Sequence, residues 1–206
     1  MMERGPASAV GGAIRAEKAA LRTRLRADLK GVTPEERRAA SAFTCARLRE
    51  QPLWLEARRL LFYAALPDEL DLWPLVEETL GEGRTVALPR FLVESGIYAA
   101  AIIQNSKQDL VPGKMGILEP GSHCQAMPLN QLDLLLVPGV GFDMNGRRLG
   151  RGKGYYDRLL SSVCGVRCGV AMDRQVLPAI PAEPHDVTLD CILTPTRWLT
   201  FGPRAV

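Results

Sequence analysis

Hydrophobic and polar positions divide this chain of 206 residues into alternating helix-like and strand-like segments. Residues 13–30 have apolar positions at helical spacing and end at Gly31. Thr33 then offers an N-cap, followed by a proline and two acidic residues, so a second helix is expected to run to about Glu50. Further helices are predicted at residues 72–80 and 155–163. Strands are predicted at residues 60–66, 85–88, 97–103, 134–137, 168–171, 190–193 and 198–201.

This alternation predicts an α/β fold, in which helices flank a largely parallel central sheet in one single-domain layered sandwich. We expect residues 13–206 to form that domain. Residues 1–12 lack a proper apolar segment and are expected to be a disordered leader. Residues 105–130 contain several prolines and glycines, which predict a long functional loop.

The amino-acid composition is typical of a globular protein and argues against several other classes. The chain is 47% hydrophobic and 24% charged, which fits a globular domain with a sizeable core. No apolar run approaches the ~20 residues of a membrane-spanning helix, and a formal net charge of +3 is too small to predict bulk nucleic-acid binding. Five scattered cysteines without a C-x-x-C pair fit reduced thiols. We expect a cytoplasmic protein, a monomer rather than an oligomer, with neither nucleic-acid nor membrane partners.

A glycine-rich cationic loop is the most informative local feature. It follows the predicted strand at residues 134–137 and precedes the predicted helix that begins at Tyr155. The loop combines two sets of residues, which are Gly146, Gly150, Gly152 and Gly154, and Arg147, Arg148, Arg151 and Lys153. Strand, glycine-rich loop and helix start form a cradle for phosphates, because glycines let backbone N–H groups approach an anion. The spacing matches neither the dinucleotide motif nor the Walker A motif, so a flexible surface turn or an RNA-contacting patch is the alternative.

Lys18 occupies an unusual position in the first predicted helix. On a helical wheel it lies within the apolar arc formed by Ile14, Leu21, Leu25 and Leu29. A lysine directed at the core is costly unless it meets an anion or extends its ammonium group to solvent. Lys18 therefore predicts either an anion-binding role or a solvated basic stripe with a buried aliphatic stem.

Two acidic residues, Glu69 and Asp71, follow the predicted strand at residues 60–66. Open α/β sheets place ligands at the carboxyl ends of their strands, so these carboxylates are candidate ligand contacts. A polar turn or a helix start is the alternative for such a pair.

The segment from Gly141 to Leu159, with RLGRGKGYYD at its centre, resembles the signature of the 5-formyltetrahydrofolate cyclo-ligase family, also called 5,10-methenyltetrahydrofolate synthetases. A looser resemblance extends from Lys18 to about Thr194, and the spacing of Lys18 and Arg22 matches a K-x-x-x-R motif of the family. The resemblance implies an ATP-dependent and Mg²⁺-dependent closure of 5-formyltetrahydrofolate to 5,10-methenyltetrahydrofolate.

The resemblance also implies roles for individual residues. Arg151 and Lys153 are expected at the transferred phosphate, as catalytic groups. The implied ATP contacts are Lys18, Arg22, Arg148, Gly150, Arg151, Gly152, Lys153, Gly154, Tyr155 and Tyr156. The implied folate contacts are Leu66, Glu69, Asp71, Met115 and Tyr155, with Asp71 preferred at the pterin and Glu69 as the alternative. Asp157 and Asp186 are candidate Mg²⁺ ligands, with Asp190 as the alternative to Asp186.

Two departures from the family pattern leave other functions open. Leu72 replaces the usual threonine after the acidic pair, and Met115 stands where relatives often have another apolar or aromatic residue. A related enzyme that acts on a different small molecule is therefore one alternative. A non-enzymatic RNA-binding module is the other, although the basic loop lacks the interleaved aromatic residues that single-strand binders use.

Overall fold

A computed structural model describes residues 6–113, 116–183 and 186–202 of the chain. The helices are α1 (Pro6–Lys30), α2 (Pro34–Arg49), α3 (Pro52–Glu56), α4 (Trp73–Gly81) and α5 (Tyr155–Leu160). The first seven strands are β1 (Arg59–Leu61), β2 (Thr85–Leu92), β3 (Ile97–Ile103), β4 (Leu110–Pro112), β5 (Leu118–Pro120), β6 (Ala126–Met127) and β7 (Leu134–Pro138). The others are β8 (Gly141–Asp143), β9 (Arg148–Leu149), β10 (Val166–Val170), β11 (Val176–Leu177), β12 (Cys191–Leu193) and β13 (Trp198–Thr200).

An eight-stranded sheet organises the molecule, in the order β13-β12-β10-β7-β1-β2-β3-β6. The five strands from β12 to β2 are parallel, and the flanking strands β13, β3 and β6 are antiparallel. Helices cover this sheet, so the prediction of an α/β fold with a largely parallel sheet is confirmed. Two small sheets accompany it, one of β11, β8 and β9 and one of β4 and β5.

Strand β7 shows why the sheet is buried on both faces. Its residues Leu134 and Leu136 pack in the hydrophobic cluster beneath α2, α3 and α4, whereas Leu135 and Val137 pack in the cluster that includes α5. Successive side chains of a strand point to opposite faces, so a continuous apolar run suits a central strand with a layer on each side.

Several element boundaries differ from the predicted ones. Helix α1 begins at Pro6, so residues 6–12, which were expected to be disordered, are helical; residues 1–5 lie outside the described part. Strand β1 ends at Leu61, where the sequence predicted a strand to residue 66. Helix α5 ends at Leu160. The β8–β9 hairpin was not predicted, because strands of two or three residues between glycines leave too short a pattern.

No helix in the described ranges is both long enough and apolar enough to cross a membrane.

Candidate functional site

A cavity opens at the carboxyl ends of the central parallel strands, where α/β sheets usually bind ligands. Tyr63 and Ala64 line it after β1, and Pro138 and Gly139 line it at the end of β7. Most of the predicted site residues meet here, namely Leu66, Glu69, Arg148, Gly150, Arg151, Lys153, Gly154, Tyr155, Tyr156 and Asp157.

The glycine-rich loop forms one wall of this cavity. Gly152 and Gly154 have φ values of 96° and 66°, a left-handed backbone that residues with a Cβ rarely adopt. Gly154 directly precedes α5, so the loop turns sharply into this helix. Glycine is therefore required by the path of the chain, as well as by the space that an anion would need.

The backbone amides of this loop have unused hydrogen-bonding capacity. Within the part of the chain that the structure describes, none of the amides of residues 150–154 donates a hydrogen bond to another residue. Lys153 is exposed, and its ammonium group has no described carboxylate partner. Buried backbone amides are nearly always paired, so a run of unpaired ones beside a cavity is available to water or to a bound anion.

Helix α1 lies against the loop and brings further cations to it. Leu25 is buried in a small cluster with Val140, Leu149 and Ile180, which fixes the helix on the β8–β9 hairpin. The Nε atom of Arg22 donates to the Gly150 carbonyl oxygen at 2.8 Å.

Lys18 faces inward, as the helical wheel predicted, and is only 6% exposed. Its Nζ atom lies 3.0 Å from Glu183 Oε2 and 2.6 Å from Asp186 Oδ2. The alternative of a solvated stripe is therefore wrong, because the ammonium group meets two carboxylates. Asp186 Oδ2 also accepts the amide of Glu183 at 2.7 Å, which orders this segment. Glu183 was not predicted from the sequence. The available signal was its position three residues before Asp186 in the segment PAEPHD.

Arg148 was predicted to contact ATP, but its guanidinium group is buried inside the protein. It donates to Asp157 Oδ1 at 2.8 Å and to the Pro138 carbonyl oxygen at 3.2 Å, and it lies 5.3 Å from the centre of the Tyr156 ring. These contacts hold the guanidinium group in place at the cavity that Arg148 lines. Its evident effect is to orient the Asp157 carboxylate.

The two predicted metal ligands, Asp157 and Asp186, both interact electrostatically with Arg22. Burial lowers the pKa of Arg22, Arg26 lowers it further, and both Asp157 and Asp186 act in the opposite direction, so both carboxylates are within electrostatic reach. Two carboxylates beside a phosphate-binding loop are a donor set that suits Mg²⁺. Asp190, the alternative, accepts the Arg167 amide at 2.7 Å near the amino end of β10, at the opposite edge of the sheet from the cavity.

On the other side of the cavity, Glu69 is paired with Arg151. Glu69 Oε1 lies 2.9 Å from the NH2 atom of Arg151, and Oε2 accepts the Leu66 amide at 3.0 Å. Arg151 also donates to Asp68 Oδ1 at 2.5 Å. Burial raises the pKa of Glu69, and the charge of Arg151 opposes that shift.

Asp71, which the sequence favoured over Glu69 as the acid at the pterin, does not line this cavity. Asp71 lines a separate, shallower pocket beside Ser41 and Cys45, and its Oδ1 accepts the Trp73 amide at 2.8 Å, at the start of α4. A short acidic side chain is well suited to this turn bond to the amide two residues ahead. Leu72 is only 1% exposed and packs in the core, so its departure from the family pattern does not alter the cavity wall.

Three aromatic rings pack together near the cavity, of which only Tyr155 was predicted. Phe91, Tyr98 and Tyr155 contact one another edge to face, with ring centres 5.1–5.7 Å apart. We call these three rings the aromatic wall; Tyr98 and Tyr155 line the cavity. Phe91 and Tyr98 are directly paired across β2 and β3, so aromatic residues at matching distances from the hairpin turn were the signal available in the sequence.

A buried carboxylate, Glu119, supports the aromatic wall. Its Oε2 accepts the Phe91 amide at 2.8 Å and its Oε1 accepts the Tyr98 hydroxyl at 3.3 Å. Burial and then the negative charge of Glu119 raise the pKa of Tyr98 to about 12. The phenol therefore stays protonated and acts as a hydrogen-bond donor. Met115 lies outside the described residues.

Comparisons with known proteins agree with this architecture. The model of the 5-formyltetrahydrofolate cyclo-ligase family matches residues 14–195. The 5-formyltetrahydrofolate cyclo-ligase of Escherichia coli K12 is 30% identical over 172 residues, covering 82% of this chain and 94% of the relative. The mouse 5-formyltetrahydrofolate cyclo-ligase is 27% identical over 191 residues, covering 87% and 94%.

Two solved structures share the fold. The NMR structure of Aquifex aeolicus 5,10-methenyltetrahydrofolate synthetase superimposes with a TM-score of 0.82 at 32% identity and covers 92% of this chain and 95% of the other. A 5,10-methenyltetrahydrofolate synthetase from Mycoplasma pneumoniae has a TM-score of 0.70 at 21% identity and covers 87% and 99%.

Proposed function

Because this chain belongs to the 5-formyltetrahydrofolate cyclo-ligase family, we propose that it closes 5-formyltetrahydrofolate to 5,10-methenyltetrahydrofolate and consumes ATP in doing so. One observation carries the proposal: a single cavity joins the glycine-rich cationic loop to a buried acid and the aromatic wall. The loop suits a polyphosphate. The buried acid and the aromatic wall together suit a flat heterocycle with N–H donors.

The folate side of the cavity consists of Glu69, Leu66 and the aromatic wall. A carboxylate can accept two parallel N–H bonds from the 2-aminopyrimidinone edge of a pterin. Glu69 meets this requirement better than Asp71, because only Glu69 lines the cavity. Tyr98 and Tyr155 provide aromatic surface for the rings of the substrate. Glu119 acts as a positioning residue, since its bonds to Phe91 and Tyr98 keep this surface in place.

The nucleotide side consists of residues 150–154, Lys153 and the cations of α1. Unpaired amides and the Lys153 ammonium group would surround the phosphates, with Arg22 behind the loop. Asp157 and Asp186 would hold Mg²⁺, which supplies charge neutralisation to the phosphates when it is bound. Arg148 would contribute through Asp157, which it orients.

The chemistry requires no protein nucleophile. The formyl oxygen on the 5-nitrogen attacks the γ-phosphorus of ATP, and ADP leaves. The 10-nitrogen then attacks the activated formyl carbon and gives up its proton to solvent, and loss of phosphate completes the five-membered ring. Such phosphoryl transfer depends on positioning and on stabilisation of negative charge. Arg151 and Lys153 are the side chains best placed for this, because both line the cavity on the loop.

The test is a coupled assay on the purified full chain with 5-formyltetrahydrofolate, ATP and Mg²⁺. We expect the absorbance of the methenyl product to rise, with one ADP and one phosphate formed per product molecule. No product should form without ATP. ATP binding without folate binding or methenyl formation would contradict the proposal and favour a related enzyme with another small-molecule substrate.

A further inference from the structure

Three side chains with metal-binding atoms converge at the base of the loop that carries β4 and β5. Asp109 precedes β4, and His123 and Cys124 follow β5. A carboxylate oxygen, an imidazole nitrogen and a thiol sulfur from these residues all lie within 4.8 Å of one another. None of the three residues lines the cavity described above.

The distances fit ligands that surround one ion. His123 Nε2 lies 3.2 Å from Asp109 Oδ1 and 3.6 Å from Cys124 Sγ. Tetrahedral zinc with bonds of about 2.0–2.3 Å places neighbouring nitrogen, oxygen and sulfur ligands roughly 3.3–3.6 Å apart. Both contacts meet at the same ring nitrogen. A nucleophile–histidine–acid relay uses the two different ring nitrogens, so this cluster is not a catalytic triad.

The surroundings hold the three residues in this arrangement. The other oxygen of Asp109, Oδ2, accepts the amides of Gln104 and Asn105 at 2.6 and 2.8 Å, which leaves Oδ1 directed at the imidazole. Cys124 is only 7% exposed. A Cβ on Gly121 would lie 2.7 Å from the His123 ring, so glycine at this position makes room for the imidazole.

Arg90 brings a positive charge near the cluster. Its NH1 atom donates to the carbonyl oxygens of Gly121 and Cys124 at 2.8 and 2.9 Å. It therefore fixes the backbone on both sides of His123, and its charge is directed at carbonyl oxygens.

We propose that Asp109, His123 and Cys124 form a binding site for a borderline-soft divalent cation of the Zn²⁺ class. One sulfur, one imidazole nitrogen and one carboxylate oxygen are a ligand set that such ions prefer and that Mg²⁺ does not. Three protein ligands leave a fourth position for water. The bound ion would join the chain before β4 to the chain after β5, and so would stiffen the segment that carries Glu119.

The test uses the full chain, freed of metal, in the absence of nucleotide. Co²⁺ serves as a spectroscopic probe, and Zn²⁺ is titrated against a coloured chelator. We expect one equivalent of Co²⁺ to give a thiolate charge-transfer band that Cys124→Ser abolishes. His123→Ala should weaken Zn²⁺ binding at least tenfold; its side chain is 60% exposed, so this variant is expected to fold.

Two controls separate this site from others. Cys164→Ser changes an exposed cysteine and should leave both titrations unchanged. Asp157→Asn removes a carboxylate of the proposed Mg²⁺ site and should also leave them unchanged. Absence of the charge-transfer band in the wild-type protein, or equal Zn²⁺ affinity in the wild type and His123→Ala, would overturn the proposal.

Discussion

The charged side chains on the nucleotide side and on the folate side of the cavity are paired in different ways. On the nucleotide side, Lys18 and Arg148 are buried and bound to the carboxylates of Asp186 and Asp157. These pairs hold the two carboxylates in place, and the donors left for a phosphate are backbone amides and the exposed Lys153. On the folate side, the buried acid Glu69 is bound to Arg151, and both residues line the cavity.

This difference separates residues that build the site from residues that act in it. Arg148 and Arg151 are close in sequence and both are paired. Both line the cavity. Arg151 bonds the side-chain carboxylates of Asp68 and Glu69, which a ligand can replace, whereas Arg148 also bonds the backbone carbonyl of Pro138. The following four predictions probe the comparison, in order of decreasing effect.

Lys153→Ala tests the exposed cation on the nucleotide side. We expect turnover to fall by about 10²–10³-fold, the usual cost of removing one group that stabilises transition-state charge. The unfolding midpoint should stay near that of the wild type, since the side chain is exposed. Lys30→Ala, which removes an exposed lysine at the end of α1, is the matched control. Equal turnover in the two variants would remove Lys153 from the proposed mechanism.

Lys18→Met tests the internal pairs. It removes the buried ammonium group that bonds Glu183 and Asp186, so we expect a loss of about 3 kcal/mol in the free energy of unfolding, as for breaking a buried pair. Chemical denaturation measures this loss. Arg24→Met, at an exposed position of the same helix, should change stability far less. A Lys18→Met protein as stable as the wild type would mean that the pair is not structural.

Glu69→Gln and Asp71→Asn test which acid serves the folate side. Loss of bonds to a charged group at Glu69 should weaken folate binding by about 1.5–3 kcal/mol. Asp71→Asn should leave folate affinity unchanged and cost at most about 1 kcal/mol of stability, because it alters one hydrogen bond in the turn before α4. Equilibrium binding of 5-formyltetrahydrofolate with an unreactive ATP analogue decides between them, and the reverse pattern would restore the preference for Asp71.

The titration of Glu69 gives the smallest expected effect. Its pKa is raised by burial above the usual value of 4.5. A raised carboxylate pKa makes a stabilising contribution that is complete below the unfolded pKa and is lost as pH rises through the folded pKa. The stability of the wild type relative to Glu69→Gln should therefore decrease over that pH window. A pH-independent difference between the two unfolding free energies would contradict the raised pKa.

The elements that depend on local pattern were predictable. The inward position of Lys18 follows from helical periodicity alone, and the glycine-rich loop follows from a strand, a set of glycines and a helix start that are adjacent in sequence. The same local signals identified the central strand β7, whose apolar run is buried on both faces.

The elements that depend on distant contacts were not predictable. Whether Glu69 or Asp71 faces the cavity depends on where the chain leaves the sheet, and it does so after Leu61, earlier than the apolar run suggested. The aromatic wall requires the register of β2 and β3 together with the position of Glu119 on β5. Glu183 is 165 residues from Lys18 along the chain, and no local pattern links the two.

The bond between Arg151 and Glu69 has a consequence for how the two ligands influence each other. A pterin that takes the Glu69 carboxylate competes with Arg151 for it, and the released guanidinium group becomes available to a phosphate. Each ligand would then increase the affinity for the other, and by the same factor, because the coupling free energy between two binding sites is reciprocal. Folate affinity measured with and without the ATP analogue, and nucleotide affinity measured with and without folate, would give that factor twice. Arg151→Lys would reduce it, since an ammonium group cannot make the same forked bonds to Asp68 and Glu69.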